Sequence, residues 1–245
     1  MPTLIFDIET IGESFDAMDD QTKKALTHWI QNDDSLDETE RESKIQEVKD
    51  RLGLSPFTGE IVSIAMLDFE KNRGAVYFQT PNNSNASPIQ ENNTDYKPMT
   101  EPEMLKKFWE VVGLYQNFVT FNGGSFDVPY LMIRSAIHKI RPTKNMMSNR
   151  YLKSQDFGAK HIDLLEQLTY YGAVQRKGMG LHMACHAFGI QTPKTGDMQG
   201  ADVGELFKQG KYEDIARYNM ADVVATGELY KYWNEYLNFD KYSNR

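Results

Sequence analysis

The stretch Leu4-Ile5-Phe6-Asp7-Ile8-Glu9-Thr10 constrains this chain more than any other. Read as a strand, its side chains alternate, sending Ile5, Asp7 and Glu9 to one face and Leu4, Phe6 and Ile8 to the other. Two carboxylates then stand side by side at the end of a hydrophobic strand. Same-face neighbouring acids repel each other unless a positive charge neutralises them, and a hard divalent cation held by oxygens is the natural candidate. A bare Asp-x-Glu is also common by accident, in which case the strand ends at Phe6 and both acids are solvated. Residues far downstream decide between the two.

A chain of 245 residues is long enough to bury a sizeable core, and its 40% hydrophobic and 25% charged residues are ordinary for a soluble globular protein. No apolar run is long enough to cross a bilayer, and the Met1-Pro2-Thr3 start lacks a basic leader followed by an apolar stretch. The expectation is a cytoplasmic protein without membrane contact. The lone cysteine, Cys185, agrees with a reducing compartment. A net charge of -8 argues against a protein that coats nucleic acid. The charge is unevenly spread, however. Acids crowd Glu13 to Glu60, whereas Arg134 to His161 carries seven Lys and Arg residues against a single acid, Asp156. Such asymmetry suits a face that tolerates phosphates, or equally a basic surface with no partner.

Along the chain, the polar stretch after Gly12 reads as two exposed helices broken near Asn32-Asp33-Asp34, an acidic insertion at about 13–52 within a single domain spanning 1–245. Residues 60–69 and 74–78 read as a strand and its hairpin partner, making an antiparallel meander with the first strand. The Asn- and Ser-rich segment to Met99 reads as a mobile loop. Thr100 and Glu103 form a capping box that opens a helix. The strand Phe118 to Phe121 runs into Asn122-Gly123-Gly124-Ser125-Phe126-Asp127, where the glycines permit a sharp turn and Asp127 opens the next helix. Taken alone, Asp127 is a helix cap before it is anything else. His182 and His186 have metal-ligand spacing, but Met183 stands where a zinc protease carries Glu, so a surface role is preferred. The loops 175–180 and 193–196 are basic turns that could contact phosphate. In the last helix, Tyr212 to about Phe239, Tyr218 and Asp222 share one face. A carboxylate on a buried helix face needs a partner.

Together, Phe6-Asp7-Ile8-Glu9-Thr10, then Asn122-Gly123 with Phe126-Asp127, then Tyr218 and Asp222 at Tyr-x-x-x-Asp spacing, resemble the three ordered exonuclease motifs of the DEDD superfamily in its tyrosine branch. The wording is most similar to the proofreading exonuclease domain of B-family DNA polymerases, with further support from Leu54-Ser55-Pro56 and His161-Ile162-Asp163-Leu164. The resemblance implies an α/β ribonuclease H-like fold, with a central mixed sheet of five or six strands flanked by helices. It implies that Asp7, Glu9, Asp127 and Asp222 converge on two divalent cations, Mg²⁺ or Mn²⁺, about 3.5 to 4 Å apart in enzymes of this kind. Tyr218 would orient the attacking water, and Thr10, Ile11, Asn122 and Phe126 would touch the terminal nucleotide. The implied activity is 3′-5′ hydrolysis of single-stranded nucleic acid ends to nucleoside monophosphates, in repair or proofreading. Relation to a DNA polymerase domain favours DNA, although spacing alone does not separate it from RNA. The acidic insertion departs from what the chemistry needs and could be a lid, a surface for a protein partner, or decoration. A non-catalytic module that holds nucleic-acid ends, or another protein, on the same fold is the alternative.

Overall fold

The computed structural model describes residues 2–81, 87–191 and 200–239. Strand β1 (Thr3–Gly12) leads into two helices, α1 (Asp20–Gln31) and α2 (Glu38–Asp50). Each has an aspartate N-cap: Asp19 accepts from Thr22 N, and Asp37 with Glu40 completes a capping box. Arg41 ties the pair together by donating to the carbonyls of Ile30, Gln31 and Asp33 at and just beyond the end of α1. The chain then returns through β2 (Gly59–Asp68) and β3 (Arg73–Phe78), both antiparallel to their predecessors, so the expected meander is present.

Beyond it come β4 (Ile89–Glu91), β5 (Thr94–Pro98), α3 (Glu101–Val112), β6 (Asn117–Thr120), α4 (Asp127–Ile137) and β7 (Lys160–Asp163). The helices α5 (Leu164–Leu168), α6 (Leu181–Ala187), α7 (Val203–Lys208) and α8 (Tyr212–Tyr232) complete the chain, and a wider π turn at Trp233–Leu237 extends α8. The sheet has seven strands in the order β4-β5-β3-β2-β1-β6-β7. Its β1–β6, β6–β7 and β3–β5 pairs are parallel and the rest antiparallel. The count exceeds five or six because the segment read as a loop supplies β4 and β5. Asn92 and Asn93, both at positive φ, close the tight turn between them. Residues 82–86 of that segment, and the basic turn 193–196, lie outside the described residues.

Alternation in β1 is realised as expected. Leu4, Phe6 and Ile8 pack with α3 and α4 residues such as Leu105, Phe108 and Leu131, while Ile5 packs with Val223 and Leu229 of α8. The sheet is therefore covered on both faces, an α/β/α sandwich of the ribonuclease H-like kind. Asp7 and Glu9, sharing the face of Ile5, are turned toward α8. A bulge marks the same place: Glu9 opposes Ser63 but Thr10 opposes Ile61, leaving Val62 as the extra residue.

A candidate metal centre on the sheet

Two elements near the bulge deliver carboxylates into the space between β1 and α8. Asp7 and Glu9 come from β1, and Asp222 from the middle of α8, where helical rise brings it over the strand. One oxygen from each of the three lies within 4.8 Å of the others. Asp127, at the start of α4, is buried beside them and does not cap its own helix with its Oδ1. That oxygen accepts from the backbone N–H of Ile8 at 3.1 Å, so the carboxyl is clamped to β1 across the sheet.

The electrostatics of this cluster are unfavourable as it stands. Burial, followed by the charges of Asp127, Glu9 and Asp222, pushes the Asp7 carboxyl well above its ordinary range, and a hydrogen bond from Asn219 only partly opposes this. Burial and the charges of Asp222 and Asp127 do the same to Glu9. Burial raises Asp222 to about 6, against the pull of the Tyr218 hydroxyl, and raises Asp127 to about 7, against backbone N–H groups including that of Ile8. Among the described residues no lysine or arginine forms an ion pair with Asp7, Glu9 or Asp222. Carboxylates gathered without a protein cation, all presenting oxygen, are the donor set of a hard divalent ion. The residues present therefore fit such an ion.

Tyr218 lies one turn before Asp222, on the same face of α8, and its hydroxyl acts on that carboxylate. Burial, then the charges of Asp222 and Glu9, push the phenol above its ordinary range, which keeps it a neutral donor. Thr10 is committed elsewhere: its hydroxyl donates to Gly53 O at 2.7 Å, holding the loop before β2 against the bulge. Ile11 is half-buried beside Val62 and Val203. Asn122 adopts a left-handed backbone, φ 65°, and its N–H reaches Asp163. Phe126 is half-buried with its ring tilted 5.4 Å from that of Tyr130. Described contacts thus draw Asp7, Glu9, Asp127, Tyr218 and Asp222 together, with Thr10 and Ile11 at the end of β1 and Asn122 and Phe126 on the loop before α4.

Sequence reasoning missed three residues. Asn219 is fully buried; its amide donates to Asp7 Oδ2 at 2.6 Å, and its carbonyl accepts from the Ser63 hydroxyl at 2.8 Å. Ser63 stands opposite Glu9 in the β1–β2 ladder, so the Ser63-Asn219-Asp7 chain fixes the carboxylate's rotamer. The available signal was a polar Asn on the buried face of the last helix, four residues after Ile215. Asp163 is the third. Its Oδ1 accepts from the N–H groups of Asn122 and Leu165 and its Oδ2 from that of Gly124, which pins the glycine turn leading to Asp127. At Gly123 a Cβ would lie 2.6 Å from Thr120 Cβ, so no other residue fits that turn unmoved.

Residues 59–243 match the sequence model of a family described as a predicted 3′-5′ exonuclease related to the exonuclease domain of PolB. The matched span includes Asp127, Tyr218 and Asp222; Asp7 and Glu9 precede it. Among solved structures, the chain is similar to the family B DNA polymerase from the hyperthermophilic archaeon Pyrobaculum calidifontis, with a TM-score of 0.57 and 15% identity. That similarity covers 94% of this chain and 24% of the polymerase, so it is a likeness of fold, and the chain spans about a quarter of the polymerase's length. No curated protein matches the sequence.

Proposed function

The chain belongs to the family of predicted 3′-5′ exonucleases related to the exonuclease domain of PolB, and from that premise we propose that it hydrolyses phosphodiester bonds at 3′ ends of single-stranded nucleic acid. The observation that carries this reading is the cluster of Asp7, Glu9 and Asp222, three carboxyl oxygens within 4.8 Å of one another and without an ion-pair partner among the described residues. Asp7, Glu9 and Asp222 would hold one Mg²⁺ or Mn²⁺, and Asp127 with Asp7 a second. Bound there, divalent cations neutralise the carboxylates, lower the pKa of a water, and stabilise the oxygen that departs from phosphorus.

The chain's own residues have separate tasks. Tyr218, held as a neutral phenol, is suited to orienting a water by hydrogen bonding and unsuited to removing its proton. Asn219 keeps Asp7 aimed into the cluster. Asp163 holds the turn from which Asp127 projects. The half-buried Phe126, with Asn122, offers a surface for the terminal nucleotide beside the acids.

The deciding experiment follows a 5′-labelled oligonucleotide with Mg²⁺, with Mn²⁺ and with chelator. A ladder shortening from the 3′ end, dependent on metal and absent in Asp222→Asn, is expected. An intact oligonucleotide under both metals, with the protein folded, would overturn the reading and leave a binding module that does not cleave.

A further inference from the structure

The basic segment 134–161 contributes no side chain to the acidic cluster, yet it borders two neighbouring cavities, with Gln167 in the lining of both. The first, about 110 Å³, is lined by Gly124, Met147, Arg150, His161, Asp163 and Gln167, so it begins at the pinned turn three residues before Asp127. The second, about 270 Å³, lies between Tyr151, Lys153, Tyr170, Tyr171, Trp233 and Phe239. Aromatic side chains dominate this groove. Tyr151, Tyr170 and Phe239 are 54%, 53% and 69% exposed, and the buried Trp233 forms part of its wall.

The backbone holds the tyrosines in this arrangement. Tyr170 and Tyr171 both have positive φ, 48° and 58°, which bulky residues rarely adopt. Three contacts keep Tyr171 there: its hydroxyl accepts from Leu152 N–H and from the Gln167 amide, and its carbonyl accepts from Arg150. Tyr171 also packs edge-on against Tyr151, ring centroids 4.9 Å apart. Tyr170 is thereby turned outward over the groove. Arg150 forks onto the mostly buried Glu166 and still remains half exposed at the first cavity, where its charge faces solvent.

Exposed rings beside cations, next to a cavity that reaches Gly124 in the turn leading to Asp127, match the requirements of unpaired bases and their phosphates. We propose that this groove binds the single strand upstream of the 3′ terminus, with bases stacking on Tyr170 and Tyr151 and phosphates facing Arg150 and Lys153. The proposal rests on the exonuclease reading for the direction of the strand, not for the chemistry of binding. Trp233 is eleven residues beyond Asp222 on the extended helix, about 16 Å at 1.5 Å per residue, so only strands of several nucleotides span both places.

The test measures binding of a fluorescent single strand of about 16 nucleotides, at the upper end of single-strand site sizes, with chelator present so that no turnover interferes. Tyr170→Ala and Tyr151→Ala should each weaken binding about 5- to 150-fold, the range for loss of one base-aromatic stack, while Tyr170→Phe binds as wild type. With metal, the alanine variants should hydrolyse a dinucleotide at the wild-type rate but show a raised KM on the long strand. Unchanged binding in both alanine variants, or no binding by the wild type, overturns the proposal and leaves the groove to a protein partner. Absence of cleavage with groove-dependent binding intact would instead overturn the exonuclease reading alone.

Discussion

Asp7 is where opposing demands on a single side chain meet. Its carboxyl is surrounded by three other acids and receives one strong neutral hydrogen bond, from Asn219. Asp7→Asn should therefore have opposite effects on the two properties. Turnover and cation affinity are lost, yet the metal-free protein should melt at a higher temperature than wild type because a repelling charge is gone. Asn219→Ala behaves differently. It strips Asp7 Oδ2 and the Ser63 hydroxyl of their partners at once, which costs about 1–3 kcal/mol for a buried polar group. As a group that orients a ligand rather than binding the ion, its removal should weaken Mn²⁺ binding about 10- to 100-fold, measurable by calorimetry. A variant with wild-type Mn²⁺ affinity would show that Asn219 only fills space.

At the scale of elements, legibility in the sequence followed periodicity and local chemistry. The period of two in β1 gave both faces correctly, and the helical period gave α8 with Tyr218 and Asp222 on one side. The Thr100 and Glu103 capping box fixed the start of α3, where the N–H and the hydroxyl of Thr100 both donate to the Glu103 carboxylate. The strands β4 and β5 were not legible, because a three-residue edge strand and its five-residue neighbour, both with polar content, carry too few positions for a period. Nor was the joint between α3 and α4. There the buried Glu101 accepts from Arg134, from His138 and from Ile61 N–H, groups up to 40 residues away in the chain. Burial pushes its carboxyl up, but those hydrogen bonds outweigh it and hold the group below the usual range. Arg134→Met strands the carboxylate and should lower stability by about 3–5 kcal/mol in a urea titration. Because the folded carboxyl binds its proton less readily than the unfolded one, this joint is intact above the ordinary Glu value of about 4.3 and fails as pH falls below it. A joint of this kind depends on long-range pairing, which no local pattern announces.

For the whole molecule, the acidic cluster imposes the opposite pH dependence. Between the ordinary carboxylate value, about 4, and the raised values of about 6 for Asp222 and 7 for Asp127, the folded metal-free protein binds more protons than the unfolded chain. Its stability should therefore fall as pH rises through that window, as followed by thermal melts in chelator. Saturation with Mn²⁺ at about 100 times Kd adds about 2.7 kcal/mol, an increase in Tm of about 5–10 °C for a chain of this size. A flat Tm across pH 4 to 7, or one indifferent to Mn²⁺, would contradict the cluster as described. The clamp of Asp127 on Ile8 N–H carries a further consequence. A carboxyl tethered in this way cannot swing out to discharge into solvent, so whatever hydrogen ion it carries must leave when a cation arrives. Loading the protein near neutral pH should therefore acidify an unbuffered solution, and the heat of loading should scale with the ionisation enthalpy of the buffer chosen.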